Sequence, residues 1–245
     1  MRTGLSQRVI RQIQETIERR QLFRPDDKLL IGISGGKDSL TLLDCLFQAG
    51  YQNLHSIHVK IDKTVTSEFY GFCTERSDFT VVESDILKNV KQQTRRNHCY
   101  MCSRARRKAI CQYAIENGFT KLVFAHHKND AVETMLLNLL FQREFSTMLS
   151  LQELFKGRLE IVRPLYDIDQ KAISKYAKLE KLPVTNWNCG LEKNSRRAWV
   201  RDQIYLWQKA FPKLDMVDNL FTTMQNVNTD FITDYKNTKQ GPSRR

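Results

Sequence analysis

Ser34-Gly35-Gly36-Lys37-Asp38-Ser39 follows the apolar run Leu29-Leu30-Ile31-Gly32-Ile33 and precedes Leu40, Leu42, Leu43, Leu46 and Phe47 at helical spacing. That order predicts a strand, a tight glycine turn and the first turn of a helix. Consecutive small residues let backbone N–H groups converge on one point, and a helix start adds partial positive charge there. Ser34 and Ser39 add hydroxyls, and Lys37 adds a point cation. The product is a cradle for a phosphate or pyrophosphate. The spacing is shorter than G-x-x-x-x-G-K-[ST] and an Asp follows the Lys, so this is not the loop of Walker-type ATPases.

Outward from the loop, short apolar runs rich in Val, Ile and Leu predict strands at 28–34, 54–61, 79–83, 120–126 and 159–163. Helical patterns at 38–49, 102–117 and 129–142 separate several of them. Strands alternating with helices argue for an α/β fold, a parallel twisted sheet with helices on both faces. Ligands in such sheets sit at the carboxyl ends of the strands, where the glycine loop and His126-His127 both fall. Further helices are expected over 4–23, 169–180, 195–210 and 213–226, with a break at Leu182-Pro183.

At 245 residues the chain can bury one sizeable core. No apolar run approaches membrane-spanning length, Met1-Arg2-Thr3 opens no signal peptide, and the six cysteines are not spaced as a secreted disulfide framework. The expected compartment is the cytoplasm, with reduced thiols and no membrane contact. The formal net charge of +12 favours a polyanionic partner. From Ile86 to Ile115 there is no Asp or Glu, while Lys88, Lys91, Arg95, Arg96, Arg104, Arg106, Arg107 and Lys108 all fall there. Arg196, Arg197 and Arg201 form a second cluster. Nucleic-acid contact is the expectation.

His126-His127-Lys128-Asn129-Asp130 ends a strand and opens a helix on which Asp130, Thr134 and Asn138 stand four apart. One polar stripe, with Glu133 beside it, therefore runs along an otherwise apolar helix. A buried helix with such a stripe faces a polar site. The reading is a second wall of the nucleotide pocket, with His126 and Asp130 as its contacts.

Cys99-Tyr100-Met101-Cys102 is a lone C-x-x-C, compatible with an iron–sulfur site, a zinc site or redox-active thiols. Cys111, among Ala109, Ile110 and Ala114, and Cys45 read as buried small hydrophobes. Cys189, in a polar loop before Gly190, can be presented as a ligand. Three thiolates suit an iron–sulfur cluster with one iron left open, whereas Cys73 or His98 as a fourth ligand would favour zinc.

These residues together resemble the tRNA 2-thiocytidine synthetase family of PP-loop enzymes, whose ATP loop splits ATP into AMP and pyrophosphate. The matching pieces are Ser34–Ser39, then Cys99-x-x-Cys102-Ser103-Arg104-x-Arg106-Arg107, His126-His127-x-x-Asp130, Ile161-Val162-Arg163-Pro164-Leu165, Cys189-Gly190 and Met224-Gln225-Asn226-Val227. The pattern departs from the family at Asn129, often Asp there, and at Asn186, often Cys.

The resemblance implies adenylation of the C2 oxygen of a cytidine at position 32 of a tRNA anticodon loop, followed by replacement of that oxygen by sulfur. It implies ATP, Mg²⁺ and a three-cysteine [4Fe-4S] cluster, with a cysteine desulfurase as sulfur donor and a homodimer as one compatible assembly. Carried over residue by residue, Ser34, Gly35, Gly36, Lys37, Asp38, Ser39 and His126 bind the nucleotide. Lys37, Asp38 and Asp130 act in catalysis, and Cys99, Cys102 and Cys189 hold the cluster. The competing readings are a PP-loop sulfurtransferase for another base or a small molecule, and a non-catalytic nucleotide- and RNA-binding metal protein. The expected organisation is an N-terminal helix over 1–24, a nucleotide domain over 25–165, a helical region with a cluster cysteine over 166–235 and a disordered tail over 236–245.

Overall fold

Neighbouring residues of the central strands feed two different cores, so these strands read as continuous apolar runs rather than apolar–polar alternations. In β1 (Leu29–Gly32) Leu29 and Ile31 join one core and Leu30 the other. In β4 (Lys121–Val123) Val123 faces the first core and Leu122 the second. In β6 (Leu159–Val162) Val162 and Ile161 divide in the same way. The structure, a computed structural model, describes residues 4–60, 66–83, 98–185 and 195–231, and only the backbone of 98–100 and 102. The expected disordered tail lies outside the described residues.

With β2 (Leu54–Lys60), β3 (Asp78–Glu83) and β5 (Leu151–Leu154), these strands form one sheet in the order β3-β2-β1-β4-β6-β5. Every pairing is parallel except β5 with β6. The α/β class expected from the sequence is therefore observed, with one antiparallel edge strand added. The first core takes α1 (Gly4–Arg19), α2 (Lys37–Gln48), α3 (Ser67–Thr74) and α6 (Gln170–Leu179) against one face of the sheet. The second takes α4 (His98–Glu116), through Ile110, Cys111 and Ala114, against the other. A third cluster joins α5 (Lys128–Gln142) to α7 (Arg196–Ala210) and α8 (Met216–Thr223) through Met135, Leu136, Val200, Ile204, Val217 and Phe221.

Two elements escaped the sequence reading. Helix α3 has eight residues, and its start depends on Thr66 Oγ1 accepting from the Phe69 N–H at 3.2 Å. Strand β5 is a short edge strand that reverses into β6 through Phe155, Lys156 and Gly157, all at positive φ. Helix α4 begins at His98, four residues before the expected start, so Cys102 does not open the helix. Cys99 and Cys102 both lie at its N-terminal end.

Helices α2 and α6 are locked by a buried charge. Asp44 is fully buried, and Arg76 Nε donates to its Oδ1 at 2.8 Å while Tyr176 OH donates to its Oδ2 at 2.6 Å. Removing one partner of a buried ion pair strands the other and costs about 3–5 kcal/mol. Asp44→Ala is therefore expected to lower the denaturant midpoint sharply, and Asp44→Asn, which keeps one acceptor for Tyr176 or Arg76, by less. Urea unfolding of the three proteins checks this.

Candidate functional site

The sheet order reverses between β1 and β4, whose parallel register pairs Ile31 with Val123. Their carboxyl ends therefore lie side by side at a topological switch point, where an open α/β sheet leaves a crevice for ligands. The glycine loop leaves β1 there, and His126-His127 leave β4 beside it.

The loop is built to leave its helix end open. Gly36 is the N-cap of α2, and no side chain caps that turn among the described residues. The amides of the first turn of a helix have no intrahelical acceptor, so such an uncapped end favours an anion. The two serine hydroxyls brace the turn from inside. Ser34 Oγ accepts from the Gly36 N–H at 3.2 Å, Ser39 Oγ donates to the Gly36 carbonyl at 2.9 Å, and the two hydroxyls lie 3.1 Å apart. Lys37 Nζ lies 2.8 Å from Asp38 Oδ1, both side chains about 30% exposed. Gly35 has φ +83, and a Cβ there would stand 2.2 Å from Thr185 Oγ1. Thr185 also donates its backbone N–H to the Gly35 carbonyl at 3.0 Å. The loop is thus fastened to a stretch of chain 150 residues further along the sequence, four residues before Cys189.

The second wall is α5. His127, 3% exposed, caps it: its Nδ1 accepts from the Asp130 N–H at 3.4 Å, while Asp130 Oδ2 accepts from the His127 N–H at 3.1 Å. The other imidazole nitrogen of His127 lies 3.9 Å from Asp38 Oδ1, so one buried ring spans the two walls. Asp130 Oδ1 and Thr134 Oγ1 receive Arg197 at 3.4 and 3.1 Å, and Arg201 Nε donates to the buried Glu133 at 2.9 Å. Burial works to raise the Asp130 carboxyl, but His127, His126, the His127 amide and Arg197 outweigh it and hold the group below the usual carboxylate range. Asn138, the third residue of the expected stripe, turns away from the site and donates to the Ser146 carbonyl at 3.1 Å. Asn129 Oδ1 accepts from the Gln170 N–H at 3.0 Å at the first residue of α6, which is a structural use for that departure from the family pattern.

His126 receives Arg163 Nε on its Nδ1 at 3.3 Å. Burial pushes His126 down to about 4, with Arg163, Arg197 and Arg107 adding to the shift against Asp130.

Among the cysteines, Cys45, Cys73 and Cys111 form no disulfide and are closed into cores. Cys73, the alternative fourth ligand that would favour zinc, is buried in the first core with Phe69 and Phe72, and burial pushes its thiol up to about 12. Cys99 and Cys102 stand three apart at the start of α4, a spacing that puts both on one helix face. Their side chains, His98's side chain and all of Cys189 lie outside the described residues, as does the basic stretch 86–97. Arg104, Arg107 and Lys108 are exposed on α4.

Three contributors to the site were missed as such. Thr185 carried no motif. Arg197 read as part of a charge cluster, and Arg163 as part of a matching string. The i, i+4 spacing of Arg197 and Arg201, against Asp130, Glu133 and Thr134, was the signal that could have paired the two helices.

A glycine loop on an uncapped helix at the switch point of a parallel sheet, faced by a His-His-x-x-Asp helix start, defines a PP-loop protein. Residues 5–206 match the family model of the PP-loop domain, and the chain belongs to that family. Over 245 residues it is 30% identical to the tRNA-cytidine(32) 2-sulfurtransferase of Neisseria meningitidis (serogroup C, serotype 2a), covering 94% of this chain and 75% of that one. Over 243 residues it is 29% identical to the enzyme of the same name from Dichelobacter nodosus, covering 94% and 90%. Within the PP-loop proteins the chain is a member of the tRNA-cytidine(32) 2-sulfurtransferase family. The U34-tRNA thiolase NcsA from Methanococcus maripaludis, solved with its [4Fe-4S] cluster, shares the fold at TM-score 0.69 and 21% identity over 98% of this chain and 89% of that one.

Proposed function

We propose that this chain is an ATP-dependent tRNA sulfurtransferase that adenylates the C2 oxygen of cytidine 32 in the anticodon loop and exchanges that oxygen for sulfur. The observation that carries the reading is the hydrogen bond from the Thr185 N–H to the Gly35 carbonyl. It ties the phosphate loop to the chain that leads, four residues on, to Cys189. Four residues span at most about 14 Å, which supports a reading in which activation and sulfur delivery share one rim of the sheet.

A pyrimidine C2 carbonyl is a poor electrophile. Its oxygen attacks the α-phosphorus of ATP and pyrophosphate leaves. A sulfur nucleophile then adds at C2, the C2–O bond breaks, and the oxygen departs on AMP. In this reading the loop from Ser34 to Ser39 grips the phosphates through its backbone and hydroxyls, and Lys37 leaves Asp38 for the incoming charge. Such preorganised donors are the largest catalytic contribution where anionic charge builds up. Asp38, released from Lys37, is the carboxylate that would face the Mg²⁺ on the phosphates. His126 and Asp130 close the pocket from α5.

The donor set fits an iron–sulfur cluster. Cys99 and Cys102 stand three apart at the start of α4, and the other cysteines among the described residues, Cys45, Cys73 and Cys111, are buried in cores. Cys99, Cys102 and Cys189 would hold the [4Fe-4S] cluster, and when bound it supplies an iron at which a sulfur atom can be carried. A cysteine desulfurase is the sulfur donor in this reading. The exposed Leu139, Leu140, Phe145, Leu206 and Phe211 suit a homodimer. Residues 25–165 carry the nucleotide machinery, preceded by a segment over 1–24 that contains α1, and 166–235 carry the cluster cysteine. No helix among the described residues is long and apolar enough to cross a membrane.

The test is mass spectrometry of nucleosides from tRNA incubated with the cluster-loaded protein, ATP, Mg²⁺ and a desulfurase. We expect 2-thiocytidine that disappears without ATP; thiolation of uridine alone would move the acceptor. Binding of tRNA through α4 should be mainly electrostatic. Each of Arg104→Ala, Arg107→Ala and Lys108→Ala is expected to cut the slope of log affinity against log salt by about 0.7–0.9. Filter binding across a salt series checks this, and a flat series for the wild type would point to a small-molecule acceptor.

A further inference from the structure

Arg163 follows β6 and is 5% exposed. All three of its side-chain nitrogens are committed: Nε to His126 Nδ1 at 3.3 Å, Nη1 to the Leu149 carbonyl, and Nη2 to Gln152 Oε1 at 3.4 Å. A guanidinium has only donors. The imidazole nitrogen that meets it must accept, so Nδ1 of His126 keeps its lone pair and the ring proton sits on Nε2.

We infer that Arg163 is a positioning residue that locks His126 in the neutral Nε2–H tautomer, and that His126 therefore serves the reaction as a hydrogen-bond donor to a phosphate oxygen of the nucleotide rather than as a general base. The tautomer follows from the geometry alone; naming the phosphate oxygen rests on the sulfurtransferase reading. The chemistry agrees. The attacking C2 oxygen of cytidine is a carbonyl and carries no proton, so adenylation has no proton for a base to remove. What the step needs is donors to the oxygens on which negative charge collects.

The surroundings act in the same direction. The charged groups facing His126 are Asp130 on α5, Arg163 after β6, Arg197 on α7 and Arg107 on α4. Burial is the largest influence, Asp130 opposes it, and the three arginines reinforce it, so the ring stays uncharged at neutral pH. Arg163, brought down to about 10 mainly by burial, remains a cation there. The ring is also held edge-on to Phe124, with centroids 5.7 Å apart.

The experiment is ¹⁵N NMR of the full chain labelled at its five histidines, with His126 assigned by loss of its signals in His126→Gln. The expected spectrum shows His126 as the Nε2–H form throughout the range in which an ordinary histidine, with a pKa of about 6.5, gains its proton. An Nδ1–H form, a tautomer mixture or an imidazolium in that range overturns the inference. A second measurement is AMP formation against pH in Arg163→Gln. Without its lock, neutral His126 divides between tautomers, and only its protonated form guarantees the Nε2 donor. The variant should therefore gain activity as pH falls, whereas a general base would lose it. If Arg163→Gln does not fold, His126→Gln and His126→Glu replace it. The amide, which can still donate, should stay within about tenfold of wild type, while the carboxylate should lose about 100-fold or more. Equal losses in the two overturn the donor role. Absence of AMP formation by the wild type would instead sink the sulfurtransferase reading and leave the tautomer to the spectrum.

Discussion

Asp38→Ala is expected to lose AMP formation by about 100- to 1000-fold, the scale set by removing one group from a preorganised anion site, while still folding and still binding iron. The carboxylate lies in the first turn of α2, 2.8 Å from Lys37 Nζ and 3.9 Å from the His127 ring. It is therefore the residue through which the loop, its lysine and the α5 wall meet. Its side chain is about 30% exposed, so truncation opens no core cavity. The fold loses only an acidic group at a helix start, worth about 0.3–1 kcal/mol. Lys37, relieved of its partner, should grip ATP at least as well as before. Binding retained with turnover lost is the expected pattern, because the missing interaction matters where phosphate charge shifts and not where ATP docks. Pyrophosphate release and equilibrium ATP binding on the same preparation measure the two. Wild-type release by Asp38→Ala would remove the loop from the chemistry.

Cys189→Ser should lose the cluster and all thiolation while keeping AMP formation. The comparison that gives this force is with Cys111→Ser and Cys45→Ser. Cys45 is fully buried in the first core and Cys111 is 9% exposed in the second. A hydroxyl in a core costs stability, about 1–3 kcal/mol at an apolar site such as that of Cys111, yet neither change touches a proposed ligand. Both variants should keep their iron per folded molecule. Iron analysis and visible absorbance of anaerobically purified protein decide the matter. Full iron and full thiolation in Cys189→Ser would mean that sulfur reaches the base by another route.

What the chain order announced was the strand–loop–helix at Ser34–Ser39 and the sheet around it. Both are local: glycine placement, a helix start and apolar runs state them within a dozen residues. The first residues of α5 were equally legible, because a capping arrangement such as His127 with Asp130 lies within a single helical turn. Helix α3 was not legible, because eight residues starting on Thr66 carry too few periodic positions to stand above their surroundings. Strand β5 was missed because its ends are half-buried and its middle is exposed, with no alternation to mark it. The contributors from afar were hidden for a different reason. Thr185, Arg163 and Arg197 act through contacts to positions 150, 37 and 67 residues away. No local pattern encodes such partners; only the folded topology does.

The bond between Thr185 and Gly35 bears on how the protein can be divided. A fragment ending at residue 165 would contain every nucleotide motif, from the glycine loop to the paired histidines. It would nonetheless leave the Gly35 carbonyl without its N–H donor and Asp44 without Tyr176. The activating half of such an enzyme cannot be excised as a working ATP-splitting module. A chain built this way needs its segment through Thr185 and Tyr176 even for the nucleotide half of its reaction.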